Sequence, residues 1–126
     1  MKPPPPPGPP DVAELQELID QWVTFTSDLE RKGYDFDLDS WLNDVDVREL
    51  IVEALPMFSR EEMGDHALKL DAADASFKTS TREFKRCVWG GGTAKKEKWT
   101  PQQNWWYFRT PQRSNAQLED ELATVR

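Results

Sequence analysis

Apolar residues recur every three or four positions near the start of the chain, which is the spacing of one face of an α-helix. This face comprises Val12, Leu15, Leu18, Ile19, Trp22, Phe25 and Leu29. Asp11 precedes it as an N-cap, and Glu14 follows three residues later at the capping-box spacing. Gly33 lies just beyond it and suits a left-handed helix end. The pattern therefore predicts a first helix over residues 12–32.

A second helical stripe follows the connector YDFDLDS. Its apolar members are Trp41, Leu42, Val45, Ile51 and Leu55. Asp39 or Ser40 is the expected cap. Pro56 ends the stretch, because the residue before a proline avoids helical geometry. These signals predict a second helix over residues 40–55.

A third stretch begins at Ser59, which forms a second capping box with Glu62. Apolar residues then recur every seven positions, at Met63, Leu70, Phe77 and Phe84. This spacing predicts a third helix over residues 60–80, in which Gly64 lowers the helix propensity of the first turns. Three helices with short connectors predict a small antiparallel three-helix bundle over residues 11–84, and the apolar stripes are interpreted as core packing.

The pattern changes from helical to alternating beyond the third helix. The stretch EFKRCVW alternates, three glycines interrupt it, and NWWYFRT is short, bulky and aromatic. We expect a β-hairpin of residues 84–89 with residues 104–110, joined by an exposed loop. The alternative is an extended segment that wraps over the bundle. Residues 85–113 form an aromatic-basic segment in either case, and residues 114–126 form a loose tail or a short helix.

Residues 1–10, MKPPPPPGPP, predict a disordered proline-rich arm, because proline has no backbone donor and joins neither a helix nor a sheet ladder. Such an arm is either a ligand for an aromatic-lined groove or an inert tail. The expected fold is therefore mainly α: a small three-helix bundle with a C-terminal extended or β-hairpin segment and a disordered N-terminal arm.

Charge is distributed unevenly along the 126 residues. The formal net charge is −7, yet residues 35–53 hold seven acidic side chains and one basic, whereas residues 78–113 hold nine basic and two acidic. Summed charge of this kind bears on partners rather than on fold. Two interpretations are open: the two regions complement each other within the monomer, or each attracts a different partner.

Residue counts and spacing argue against several kinds of site. His66 and Cys87 are the single histidine and the single cysteine, too few for a structural zinc site or a disulfide. The acidic run from Asp35 to Asp46 has the spacing of a calcium loop but lacks the glycine and the glutamate that the loop requires. We therefore expect no metal and no cofactor. A lone thiol, an opening of prolines and the lack of a long apolar run predict a cytoplasmic protein without membrane association.

No catalytic constellation is apparent. The glycine-rich stretch GGGTAKK departs from the spacing of a phosphate-binding loop. Asp71 and Asp74 lie three residues apart on the third predicted helix, where an inward carboxylate favours a structural ion pair with Lys78 or Arg82. A small enzyme that uses these two aspartates with His66 is the remaining catalytic hypothesis.

The aromatic-basic segment supplies the candidate site. Its predicted partner-binding residues are Trp89, Trp99, Trp105, Trp106, Tyr107, Phe108 and Arg109. Alternate rings of a strand face opposite sides, so a small bundle would cover one side and leave an aromatic strip exposed, unless the whole segment is a lid on the core. We expect a small non-enzymatic protein–protein interaction module of adaptor, inhibitor or immunity/antitoxin type, which binds a protein partner through this segment. The alternative is a single-stranded nucleic-acid binder that uses the same residues.

Overall fold

The first helix has the bounds that its apolar spacing predicts. The structure is a computed structural model that describes residues 11–126, so the arm predicted at residues 1–10 lies outside the described residues. Helix α1 runs over Val12–Lys32, and the Asp11 carboxylate accepts a 2.8 Å hydrogen bond from the backbone N–H of Glu14. Gly33 ends the helix at a φ of +75°, where a Cβ would lie 2.9 Å from the carbonyl oxygen of Arg113. Only glycine fits this close crossing of two chain segments.

The second helix is close to its prediction, but its N-cap lies two residues before Asp39. Helix α2 runs over Leu38–Ala54, and Asp37 rather than Asp39 or Ser40 is its N-cap. A short 3-10 turn, Leu55–Met57, follows it and contains the proline that was expected to end the helix. Helix α2 is buried on several sides, because it packs against α1 on one side and against the C-terminal part of the chain on the other.

The predicted third helix is divided in two. Helix α3 covers Arg60–Met63, and helix α4 covers His66–Ser80. The capping box at Ser59 forms as predicted, with both of its hydrogen bonds. The break lies at Gly64, which has a φ of +60° and donates its N–H to carbonyls of α3. A glycine that the sequence pattern treated as a weak helix residue is therefore a helix end.

The predicted antiparallel pairing of two strands is present, but the predicted strand bounds are wrong. The two strands are β1, Thr81–Glu83, and β2, Arg109–Pro111, which pair in antiparallel fashion. The expected strand over residues 84–89 is irregular, and most of the expected strand over residues 104–110 is a 3-10 helix, Trp105–Phe108. Successive side chains of a 3-10 turn are about 120° apart rather than on opposite sides, so the neighbours Trp106 and Tyr107 can both be buried, which strand alternation does not allow.

Two further helices complete the described chain. Helix α5, Gly91–Glu97, replaces the exposed loop that was expected there, and Lys98 ends it in a left-handed conformation. Helix α6, Ala116–Ala123, corresponds to the short terminal helix that was one of two expectations, and it packs on α2. Residues 11–126 therefore contain six α-helices and one two-stranded sheet, so the mainly α prediction is confirmed and the count of three helices is not.

Candidate functional site

The aromatic-basic segment covers the helical core, and its side chains differ widely in exposure. Trp106 and Tyr107 are 1% and 2% exposed, whereas Trp89 is 37% exposed. Three more aromatics are half-buried against the core: Trp99, Trp105 and Phe108. The expected strip of rings on one exposed face is therefore absent from residues 104–108, because these residues do not form a strand. The rings accessible to a partner are Trp89 and the outer edges of the half-buried three.

The polar atoms of this segment bind the acidic face of α2. The Tyr107 hydroxyl donates to Asp46 at 2.7 Å, and the indole N–H of Trp89 donates to the same carboxylate oxygen at 3.0 Å. Asn104 donates its amide to both oxygens of Glu49, at 3.0 and 3.2 Å. Burial raises the pKa of Glu49, and the hydrogen bond from Asn104 opposes that rise. These contacts join the two regions within one chain, but through neutral donors rather than through ion pairs.

Arg109 is held by helix α4. Its Nε donates to the hydroxyl of Thr81 at 2.7 Å, and its Nη2 donates to the backbone carbonyls of Lys78 and Thr81 at 3.0 and 3.1 Å. These carbonyls lie at the C-terminal end of α4, where a cation also complements the helix dipole. Most donors of this guanidinium are therefore engaged within the chain.

A buried ion pair lies beneath the segment. Arg48 is 7% exposed, and its Nε and Nη2 donate to the two carboxylate oxygens of Asp74 at 2.9 and 3.0 Å. The indole N–H of Trp22 donates to the same carboxylate at 2.9 Å. The Arg48 guanidinium also lies 4.9 Å from the ring centroid of Trp106 and 5.5 Å from that of Trp105. Helices α1, α2 and α4 therefore meet at one carboxylate, and the aromatic segment packs against the arginine bound to it.

The predicted partners of Asp74 are wrong, although its inward orientation and structural role agree with expectation. Arg82 pairs instead with Glu119 at 3.2 Å, and Lys78 places its ammonium 4.5 Å from the ring centroid of Trp105. Both alternatives are close in sequence to Asp74, whereas Arg48 lies on another helix. Sequence spacing alone gave no information about that helix contact.

The residues of the catalytic hypothesis have separate partners. Asp71 pairs with Arg60 at 3.1 Å, and His66 hydrogen-bonds Asp20 at 3.0 Å. Cys87 is buried, and burial raises the pKa of its thiol. A reactive cysteine needs the opposite shift, because the thiolate is the nucleophile.

The acidic run that resembled a calcium loop has other contacts. Asp35 accepts a hydrogen bond from Asn115, and Asp37 accepts one from the backbone of Ser40 as the cap of α2. That backbone hydrogen bond lowers the pKa of Asp37. Within residues 11–126, no three histidine, cysteine, aspartate or glutamate side chains are grouped to hold a metal ion.

An open groove of about 970 Å³ lies between the outer face of α1, the connector after it and helix α2. We call it the acidic groove. Its charged lining residues are Glu17, Asp20, Asp28, Asp35, Asp44 and Lys32. Its principal apolar lining residues are Phe25, Leu29, Tyr34, Phe36 and Val47. It therefore combines an apolar, largely aromatic floor with walls of predominantly negative charge.

The floor of the acidic groove is an ordered aromatic cluster. Tyr34 contacts Trp41 edge to face at 4.9 Å and Phe36 at 5.5 Å, and Phe25 contacts Trp41 at 5.6 Å. Phe36 nevertheless remains 63% exposed. The Tyr34 hydroxyl donates to Asp44 at 2.5 Å, which fixes the connector against α2. The result is an exposed ring on a packed support.

No protein-family model, curated protein or solved structure matches this chain. Its function is therefore inferred from the geometry of its own residues. None of the helices within residues 11–126 is both long and apolar enough to cross a membrane.

The sequence analysis missed the acidic groove, although the signal is present. Glu17, Asp20 and Asp28 recur at helical spacing on the polar side of α1, and two aromatics follow directly in the connector. The apolar stripe of α1 was interpreted as core packing, although two of its members, Phe25 and Leu29, also line the groove. An acidic helix face is ordinarily a solvated surface, and only the fold places Tyr34 and Phe36 beside it.

Alkaline pH is expected to destabilise the fold through its two buried tyrosines. Burial first, then a hydrogen bond to a carboxylate, raises the pKa of Tyr34 and of Tyr107 far above the ordinary value. The unfolded chain releases these protons near pH 10 and the folded chain retains them, so the stabilisation is complete below pH 10 and is lost as pH rises further. We expect the free energy of unfolding to fall by about 1.4 kcal/mol per pH unit per tyrosine.

Urea unfolding between pH 8 and pH 11 measures this slope. Tyr107→Phe has one buried phenol fewer, so its slope above pH 10 should be about 1.4 kcal/mol per pH unit shallower than that of the wild type. An identical slope for both proteins would contradict the assignment.

Proposed function

We propose that this chain is a small non-enzymatic protein–protein interaction module, of adaptor, inhibitor or immunity/antitoxin type, that binds its partner in the acidic groove. The main support is Phe36, a ring 63% exposed on a packed aromatic floor within a concave surface. A single exposed ring is ordinary on a monomer, but an exposed aromatic that continues an apolar floor within a concave surface is typical of an anchor for a partner.

This proposal assigns partner contact to fewer residues of the aromatic-basic segment than the sequence predicts. Trp106 and Tyr107 contribute to the core, and Arg109 is engaged by α4. Trp89 remains the most exposed ring of the set, but its indole N–H is bound to Asp46. Contact between this segment and a partner stays a prediction, and the acidic groove is proposed as the primary surface.

The alternative function is single-stranded nucleic-acid binding. The exposed basic residues of the segment support it, but the limited exposure of its ring faces supports it less. Lys95, Lys96 and Lys98 are exposed on and after helix α5. Base stacking also needs free ring faces. Trp99 stacks on Tyr107 with centroids 4.1 Å apart, so these two rings already cover each other. We therefore favour the protein partner.

Site-specific crosslinking tests the proposed surface. A photo-reactive amino acid is placed at Phe36 in one bait and at Leu68 in the other, and both are expressed in cells of the native host. Leu68 is a matched control, because it is 67% exposed and lies outside the acidic groove on α4. We expect one discrete protein to crosslink to position 36 and not to position 68.

The affinity of that protein then provides a quantitative check. Phe36→Ala should weaken binding by about 30-fold, as expected when an anchor residue is truncated, and Leu68→Ala should leave it unchanged. Both variants should retain the near-ultraviolet circular dichroism of the wild type. Equal crosslinking at the two positions, or wild-type affinity in Phe36→Ala, would rule out the acidic groove as the binding surface.

A further inference from the structure

The charge of the acidic groove restricts the chemistry of its partner. Within residues 11–126, five carboxylates and one lysine line it, which gives these residues a formal charge of −4. Such a concentration of one sign in a concave surface attracts cationic ligands and accelerates their association.

Most of these carboxylates retain free acceptor sites. Among the described residues 11–126, only Asp28 of these five is paired with an arginine, Arg31, in an ion pair whose two side chains are 47% and 68% exposed. Each of three others accepts a side-chain hydrogen bond: Asp20, Asp35 and Asp44. The Glu17 carboxylate accepts no hydrogen bond and forms no ion pair within residues 11–126. A carboxylate has about four acceptor sites, so one neighbour leaves room for an incoming cation.

The layout of the acidic groove matches an amphipathic segment. Its α1 wall extends from Glu17 to Lys32, about 22 Å at 1.5 Å per residue. Carboxylates from three elements line the acidic groove: Glu17, Asp20 and Asp28 on α1, Asp35 in the connector and Asp44 on α2. A segment with an apolar side chain on Phe36 would therefore present its flanking side chains to negative charge.

We propose that the acidic groove binds a lysine- or arginine-rich amphipathic segment of a protein partner, with an apolar anchor on Phe36 and basic side chains on the walls. This inference rests on the proposed function and adds the sign of charge and the amphipathic pattern of the partner. The length of the α1 wall accommodates about 15 residues of a helical segment.

Fluorescence anisotropy with three labelled 14-residue peptides tests the proposal directly. The first is a lysine–leucine amphipathic peptide, the second has the same composition in an order without an apolar face, and the third replaces every lysine with glutamate. We expect the first to bind most tightly and to weaken as salt rises from 50 to 500 mM. The second should bind at least tenfold more weakly, and the third should not bind. Spermine should not displace the first peptide at equal concentration.

Paired charge variants locate the binding site. The double variant Glu17→Gln/Asp28→Asn should bind the cationic peptide about tenfold more weakly than the wild type at 50 mM salt. Glu61→Gln with Glu97→Gln changes the net charge equally at exposed positions outside the acidic groove and should have little effect. Phe36→Ala should lower the affinity for the cationic peptide by about 30-fold. Equal losses in the two charge pairs, binding of the glutamate peptide, or displacement by spermine would overturn the inference.

The two proposals fail in different ways. If a protein crosslinks at position 36 and depends on Phe36 while the cationic peptide does not bind, the proposed function stands and the inference about charge is wrong. If Phe36→Ala leaves the binding of the crosslinked protein unchanged, both are wrong.

Discussion

Replacing Asp74 with alanine is expected to lower the free energy of unfolding by about 3–5 kcal/mol. The Asp74 carboxylate accepts two hydrogen bonds from Arg48 and one from the Trp22 indole. Its removal leaves a guanidinium that is 7% exposed without a counter-charge, and a buried N–H without an acceptor. Leaving one member of a buried pair without its partner costs far more than the pair itself contributes.

Asp71→Ala is the matched control for this measurement. Asp71 lies on the same helix and also pairs with an arginine, but the side chains of Asp71 and Arg60 are 61% and 66% exposed. Exposed pairs contribute about 0–1 kcal/mol. Urea unfolding of the two variants should therefore separate them by at least about 2 kcal/mol. Losses of equal size would mean that the buried network has no special role.

A double variant distinguishes the network from the aspartate alone. Arg48→Met together with Asp74→Ala removes the buried charge as well as its partner. We expect it to be more stable than Asp74→Ala alone, because no unpaired guanidinium remains in the core. A double variant that is less stable by the full sum of the two single losses would contradict this explanation.

Local signals in the sequence predicted the helices better than any other feature. Asp11, Glu14 and Gly33 define the first helix from interactions within one or two turns, and the structure has the same bounds. Gly64 was recognised as a poor helix residue, yet the spacing of Met63 and Leu70 suggested a continuous helix. A left-handed glycine and a weak helical glycine look alike in a pattern of apolar positions.

The aromatic segment could not be predicted in the same way. Its conformation depends on partners far away in the chain: Asp46 for Tyr107 and Trp89, and Glu49 for Asn104. Short apolar runs do not distinguish a strand from a turn of helix. The acidic groove depends likewise on the fold, because neither the face of α1 nor Phe36 suggests a site when considered alone.

Charge segregation along the chain has two consequences in the folded protein. The acidic residues of α2 that face the C-terminal segment bind its tyrosine, indole and amide donors. The acidic residues of α1 and the connector face an open groove instead. The acidic residues therefore have two roles on different faces of the molecule: some accept internal hydrogen bonds, and others line the open surface of the acidic groove.

Replacing Trp106 with alanine is expected to destabilise the fold by about 3–5 kcal/mol, as for other buried large aromatics. Trp106 is 1% exposed, contacts Trp105 edge to face at 5.1 Å and lies over the Arg48 guanidinium. Its removal leaves a cavity and also opens the buried ion pair to water. Urea unfolding measures the loss directly.

Trp89→Ala is the matched control for Trp106→Ala, because it removes the same type of side chain from the same segment. The comparison distinguishes a segment that covers the core from one whose rings are free to contact a partner. Trp89 is 37% exposed and donates one hydrogen bond, to Asp46, so its loss should cost about 1 kcal/mol. A much larger loss at Trp106 than at Trp89 supports a segment that encloses the core. Equal small losses would mean that the segment contributes little to stability, and its rings would then return as candidates for direct partner contact. Because helices α1, α2 and α4 meet at the Arg48–Asp74 pair and Arg48 lies against Trp106, we expect the first result.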